Sequence, residues 1–313
     1  MKTTSNKDFT YAMTLLKFLS WPVGTWPFQV YDTFSLTRTI FSISLLLLMI
    51  IIVQVELYLD RTNAENNLDA LLLINCGILA VGKVMSFRVR STGLVFNFTS
   101  AVNDYNESND EENRMIMRRH AYMGSDSVFF GIVFHLCGQV EVLKREYSKL
   151  FNKNEKITEH FILLIKRHIY LLNLSKMLNE TISSILIIQL FSSCVLICTT
   201  GFQFILALSI GNIVLTIKIL IIMCVLLIQL FAYSYVGEYL KTQTESVGNS
   251  VYFCTWYDMP KNVSKDIIFI IMKAQRPVLL RAGKIFVVNM ETYISILKTS
   301  MSYLSVLRVM VNS

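Results

Sequence analysis

Apolar residues in this chain come in long uninterrupted blocks, not in the alternating pattern of strands. A helix needs about 20 apolar residues to cross a hydrocarbon core. The block at 39–58 meets that length, and the one at 68–87 does so with Lys83 near one end. Blocks 181–210 and 211–236 follow with only Lys218 between them, so they predict a helical hairpin on a very short connection. A last block, 285–307, carries Glu291 and Lys298. The stretch 127–142 is shorter and holds His135, Gln139 and Glu141, so hydropathy leaves open whether it crosses.

The polar stretches predict helices and solvated segments. Residues 103–113 are acidic, and 147–176 mix apolar and basic positions as a helix running into the following hairpin would. Residues 263–275 are amphipathic and stop at Arg276-Pro277, a pair that ends helices. There is no repeat and no domain-sized polar region.

Composition agrees. The chain has 313 residues, 53% hydrophobic and 16% charged, with 4 prolines and 12 glycines. Soluble domains carry about 25% charged residues, so this is a polytopic helical membrane protein rather than a soluble enzyme. Lys7, Asp8 and Lys17 interrupt the N-terminus, which therefore does not read as a cleavable signal peptide. Five of the six cysteines (76, 137, 194, 198, 224 and 254) sit in apolar segments and read as small buried hydrophobes, not as a disulfide framework.

Charge gives the topology. Lys and Arg counts run 4, 1, 6, 8, 1, 7 and 2 from the N-terminal segment through the successive loops. Cytoplasmic loops are the basic ones, which puts the N-terminus inside and the C-terminus outside. Two heavy loops, however, flank 127–142. Either that segment does not cross, or a further crossing between Arg90 and Ser127 is absent.

Candidate chemistry is sparse. There is no phosphate-binding glycine loop, no nucleophile elbow and no zinc-protease motif. No metal or cofactor site is expected: His120, His135, His160 and His168 have no partner at ligand spacing. No basic soluble module suggests nucleic acid. Glu291 and Lys298 are seven residues apart, about 10 Å along one helix face. Ser295, Thr299, Ser302 and Ser305 extend that face, which reads either as a polar stripe toward a bundle interior or aqueous path, or as residues near enough to water to snorkel. Sequons at Asn97, Asn106, Asn173, Asn179 and Asn262 all fall on the side expected to be cytoplasmic, and none is expected to be used.

The C-terminal third carries a recognisable order of motifs. These are Gly237-Glu238-Tyr239-Leu240, Ser246-Val247, Tyr252, Trp256-Tyr257, Gln275 with Pro277, Ala282-Gly283-Lys284, and Lys298-Thr299-Ser300 running to Ser302-Tyr303-Leu304-Ser305-Val306-Leu307. Upstream, Gly138-Gln139-Val140-Glu141-Val142-Leu143 adds a fourth-span signature. Together they resemble the insect odorant receptors, in the style of ants, bees and wasps, as does Trp21-Pro22 with Trp26-Pro27. Thr292-Tyr293 is shared with gustatory receptors, but their following Gln-Phe is replaced at Met301, which favours the odorant branch.

The resemblance implies an all-α helical bundle, five to six visible helices of a seven-helix odorant receptor fold, with a cytoplasmic N-terminus. It implies that the third span and the long loop after it are missing, as a skipped exon or an incomplete gene model would leave them. It implies a single transmembrane domain over 1–313, with a cytoplasmic anchor at about 144–180 and 237–284. The implied role is the odorant-tuning subunit of a cation channel formed as a heterotetramer with a co-receptor subunit. Its place would be the plasma membrane of an olfactory neuron dendrite. Volatile ligands would contact Phe129, Phe130, Phe191, Cys194, Cys198, Phe202 and Phe204, and the pore would pass Val306, Val309 and Met310. A truncated inactive receptor and a gustatory-type receptor are the alternatives.

Overall fold

The computed structural model describes residues 17–18, 20–26, 29, 31–59, 64–107, 110–123, 128–149, 157–254, 256–258, 261–283 and 285–312. Among them are nine α-helices: α1 (Thr33–Leu59), α2 (Ala64–Val89), α3 (Ser91–Glu107), α4 (Glu111–Met123), α5 (Val128–Ser148), α6 (Ile157–Ile210), α7 (Ile213–Tyr252), α8 (Lys261–Ala274) and α9 (Met290–Asn312). A two-stranded antiparallel ribbon, β1 (Arg281–Ala282) with β2 (Phe286–Val287), precedes α9. Gly283 turns this ribbon at φ 64°, a backbone region that favours glycine.

Four helices are long and apolar enough to cross a bilayer: Thr33–Leu59, Asn67–Val89, Thr158–Ile210 and Ile213–Tyr252. The predicted blocks 181–210 and 211–236 are thus parts of longer helices. At 1.5 Å per residue, the 54 residues of α6 make about 80 Å of helix, against about 30 Å of hydrocarbon. Gly211, at φ 74°, supplies the left-handed residue that turns α6 into α7. Asn212 caps α7 by accepting the Leu215 backbone N–H at 3.2 Å.

The chain forms two compact units. The first comprises Met1–Ser20, Thr92–Ile182 and Val236–Leu280. Its centre is α5, with Val133, Leu136, Cys137, Val140, Val142, Leu143 and Tyr147 all buried. His135, Gln139 and Glu141 interrupt its apolar surface, and Gln139 is nonetheless fully buried among neighbouring side chains. α4 packs antiparallel on α5 after a connection of four residues, with Met117 against Val142 and Asn113 donating to Glu146 at 3.1 Å. Tyr170 of α6 meets Ser100 of α3 at 2.5 Å, and Lys144 of α5 donates to Gln243 and Ser246 of α7.

The second unit comprises Trp21–Ser91, Ser183–Tyr235 and Arg281–Ser313. Its α1 and α2 form a hairpin. Gly77 admits Ile50 so closely that an added Cβ would sit 2.7 Å from Cγ1. Arg88 donates to Ser35 Oγ at 2.5 Å and to the Gly24 carbonyl at 3.3 Å. α2 meets α6 through Gly82 against Ile188 and through Asn75 Nδ2 donating to the Ser192 carbonyl. Ser183 receives Gly283: the Gly283 N–H donates to the Ser183 carbonyl, and the Ser183 hydroxyl donates to the Gly283 carbonyl. This ties the ribbon to α6.

Candidate functional site

α9 carries the most informative geometry of the second unit. One of its faces packs on α6. Ser300 is buried and Gly201 of α6 takes the Leu304 side chain, with an added Cβ falling 2.5 Å from Leu304 Cδ1. Cys198 Sγ approaches Ser300 Oγ at 3.9 Å on the same face. Away from it, Glu291, Ser295, Lys298, Ser302 and Ser305 are exposed, together with Thr299. At 3.6 residues per turn those five positions fall within about 80° of arc. The polar stripe seen in the sequence is real, and it points away from the helix that α9 packs against.

A cavity of about 120 Å³ lies where α2 meets the α6–α7 turn, lined by Leu68, Leu206, Ala207, Ile210, Leu215 and Ile219 together with Asp69, Gln203 and Ser209. Its polar end is organised. Asp69 accepts from Lys218 Nζ at 2.8 Å and from Gln203 Nε2 at 3.0 Å, so both carboxylate oxygens are engaged. This trio was not foreseen from the sequence. The available signal was an acid at the start of one apolar block and a lysine inside another, since ionisable groups at membrane depth mark function or pairing.

The structure distributes the sequence-predicted ligand residues over both units. Phe129 and Phe130 belong to the first, where their rings meet edge to face at 5.2 Å between centroids. Phe129 is buried there and Phe130 half-buried. The other five belong to α6 in the second unit. Phe204 packs against Ala207, Leu215 and Ile219, three of the residues that line the cavity. Cys198 faces Ser300, Cys194 and Phe202 are half-buried, and Phe191 is 71% exposed. None of the seven lines the cavity itself. Among the pore candidates, Val306 is exposed. Val309 and Met310 lie on α9, but their side chains are outside the described ones.

The first unit explains the sequence motifs. Gly138 lets the His120 ring approach, a Cβ there meeting Cγ at 3.2 Å. The His120 Nδ1–H donates to the Ile116 carbonyl at 2.9 Å, since a carbonyl only accepts. Nε2 is then free to accept from the Tyr239 hydroxyl at 3.1 Å, with Glu141 at 3.4 Å. Burial pushes the His120 pKa below its usual value, so the ring is neutral at neutral pH. Gln139, fully buried, accepts from Arg167 at 2.5 Å. Among the described residues no cluster of His, Cys, Asp and Glu could hold a metal.

The family described as 7tm Odorant receptor matches residues 115–301, a span that runs from α4 to the middle of α9. The chain belongs to the 7tm odorant receptor family. Odorant receptor 13a of Drosophila melanogaster is 27% identical over 202 residues, covering 58% of this chain and 48% of that protein. Odorant receptor Or2 of Anopheles gambiae is 26% identical over 145 residues, covering 46% and 37%. The chain spans about half the length of the curated relatives it matches, or less. The solved olfactory receptor OR5 from Machilis hrabei, in complex with eugenol, shares the fold at a TM-score of 0.72 and 12% identity, over 96% of this chain and 99% of that one. The family match thus includes the His120–Tyr239 contact, the α4–α5 hairpin and most of the polar stripe.

Proposed function

We propose that this chain is the odorant-tuning subunit of a cation channel, assembled as a heterotetramer with a co-receptor subunit in the plasma membrane of an olfactory neuron dendrite. The observation that carries this reading is the exposed stripe Glu291–Ser295–Lys298–Ser302–Ser305 on α9. A polar stripe on a membrane helix does not face lipid, because unpaired polar groups are costly there. It faces water or another subunit. A channel whose last helices surround a pore supplies both, with Val306, Val309 and Met310 toward one end of the same helix.

Odorants enter this reading through the second unit. Volatile molecules gain mainly by leaving water, and pockets for them are apolar with few polar groups. The cavity beside Phe204 has that character, and Phe191, Cys194, Cys198 and Phe202 extend along the same helix. Phe129 and Phe130 remain candidates of the first unit. The OR5 structure, whose ligand is eugenol, supports a small ligand with an aromatic or aliphatic body.

On this reading α5 carries the fourth-span signature, and the family's third span and long outer loop are missing between α4 and α5. A hairpin returns the chain to the side it came from, so both heavily basic loops face the cytoplasm and α5 does not cross. The stripe is tested by Lys298→Glu in cells that also make the co-receptor. Reversal potentials under calcium and sodium gradients should shift toward calcium, since the pore wall gains negative charge. Unchanged reversal potentials in a conducting channel would remove α9 from the pore.

A further inference from the structure

The cavity where α2 meets the α6–α7 turn has a polar end whose hydrogen bonds can be followed one by one. Its wall is apolar at Leu68, Leu206, Leu215 and Ile219, and Asp69, Gln203 and Ser209 bring polar side chains to it. Each donor group among these has an acceptor. Gln203 Nε2 donates to Asp69 Oδ1 at 3.0 Å, and the Ser209 hydroxyl donates to the Leu206 carbonyl at 2.7 Å. What remains is acceptor capacity. Gln203 is only 4% exposed, and its Oε1 is buried with no hydrogen-bond partner among the described residues. No other side chain of the lining has a buried polar atom left in that state. An acceptor left so costs free energy, which a donor arriving with a ligand returns.

Charge narrows the choice of donor. Asp69 is the only charged side chain of the lining, and Lys218, outside it, donates to Asp69 Oδ2 at 2.8 Å. The pair is neutral as a whole. An ammonium ligand would therefore bring a charge without a counter-charge against an apolar wall. A hydroxyl brings a donor hydrogen and no charge. An aldehyde, ketone or ester brings acceptors alone and sets them against the acceptors of Gln203 and Asp69. Size adds a last limit. At about 10–15 Å³ for each water-sized atom, a volume of about 120 Å³ holds roughly eight to twelve heavy atoms.

Resting on the reading of this cavity as a place for volatile ligands, we infer that it selects small alcohols, whose hydroxyl donates to Gln203 Oε1 while the hydrocarbon body lies against Leu206, Leu215 and Ile219. Gln203 then sets specificity, and the Asp69–Lys218 pair keeps the polar end neutral. Loss of the donor should cost about fivefold or more in affinity, because a site that bonds a hydroxyl rejects the analogue without one.

Retention of isotope-labelled probes by the full chain in nanodiscs, above retention by protein-free discs, tests this. The probes are 1-heptanol, heptanal, 1-heptylamine and octane, alike in size and different at one end. 1-Heptanol should be held about fivefold or more above each of the others. Gln203→Met keeps the side-chain length, removes the amide and should bring 1-heptanol down to octane. Lys218→Met leaves Asp69 without its counter-charge and should put 1-heptylamine above 1-heptanol, whereas a merely structural lysine would lower all probes together. Leu206→Trp fills the cavity and should abolish retention of every probe. Thermal unfolding of each variant shows that it is folded. Two failures are separable. If Leu206→Trp abolishes retention but the native chain holds 1-heptanol no better than heptanal, the cavity takes volatiles without reading the hydroxyl, and the selectivity alone is overturned. Equal retention of 1-heptanol and octane carries the same meaning, with water serving Gln203. If 1-heptanol is not retained, or Leu206→Trp leaves its retention unchanged, the selectivity falls together with the reading of the cavity as a ligand site.

Discussion

Gly201 and Leu304 show how a single residue type sets helix approach. The Leu304 side chain occupies the space a Cβ at position 201 would need. Gly201→Val should therefore destabilise the packing of α9 on α6 by about 1–3 kcal/mol, the usual penalty for overfilling a packed contact. Thermal unfolding of the purified chain checks this, and adding Leu304→Ala should restore part of the loss. His120 gives a second residue-scale expectation. Its folded pKa is lowered, chiefly by burial, with Arg119 and His135 adding repulsion and the Ile116 carbonyl and Glu141 pulling the other way. The unfolded chain then binds the proton more readily than the folded one. The contribution is complete above about pH 6.5 and is lost as pH falls from there toward the lowered folded value. Unfolding midpoints between pH 7.5 and 5 should fall for the native chain and fall less for His120→Gln. Parallel curves would show that His120 is not the group concerned.

Elements carry the topology. Asn97 is buried, and its side chain donates to the Gly93 carbonyl at 2.7 Å, so it cannot accept a bulky glycan in this fold. With α4 and α5 folded as a hairpin, Asn106, Asn173, Asn179 and Asn262 share its side of the membrane. All five sequons should remain unmodified, and endoglycosidase treatment should leave gel mobility unchanged. A shift that disappears in Asn106→Gln would reverse the orientation. The apolar blocks at 39–58 and 68–87 were legible as helices because length and hydropathy suffice when lipid is the solvent. The joint between 210 and 213 was legible too, though not that α6 continues back to Ile157 as one helix. Mixed basic and apolar positions hide a helix that changes surroundings midway. Block 127–142 stayed ambiguous for a related reason: it is short and mixes apolar residues with His135, Gln139 and Glu141, and the fold satisfies His135 and Gln139 with Asp104 and Arg167, which local hydropathy does not register. The block at 285–307 resolved into β2, a break and α9, which has charges at Glu291, Lys298 and Arg308 and is not among the four most membrane-like helices.

At the scale of the molecule, the family was readable from ordered motifs in the C-terminal third, and the match over 115–301 bears that reading out. The motifs owe their legibility to packing: Gly138 to His120, Tyr239 to the same ring, Gly283 to the ribbon turn. The ligand residues were less legible. Aromatic positions along α6 look alike in sequence, whereas the cavity near them is made by Leu68, Gln203 and Leu215, which no local pattern brings together. The polar stripe of α9 lies between these cases. Spacing placed it on one face, and only the fold showed that this face is turned away from α6.

The central claim is a ligand-gated cation conductance that needs a partner subunit. Its most direct test is whole-cell current in cells making this chain with the co-receptor, this chain alone, or the co-receptor alone, under a broad panel of volatiles. The account predicts an inward cation current evoked by some volatile only when both are present, at a sensitivity that changes when Leu206→Trp fills the cavity. Properly delivered receptor at the cell surface with no evoked current for any volatile would contradict it.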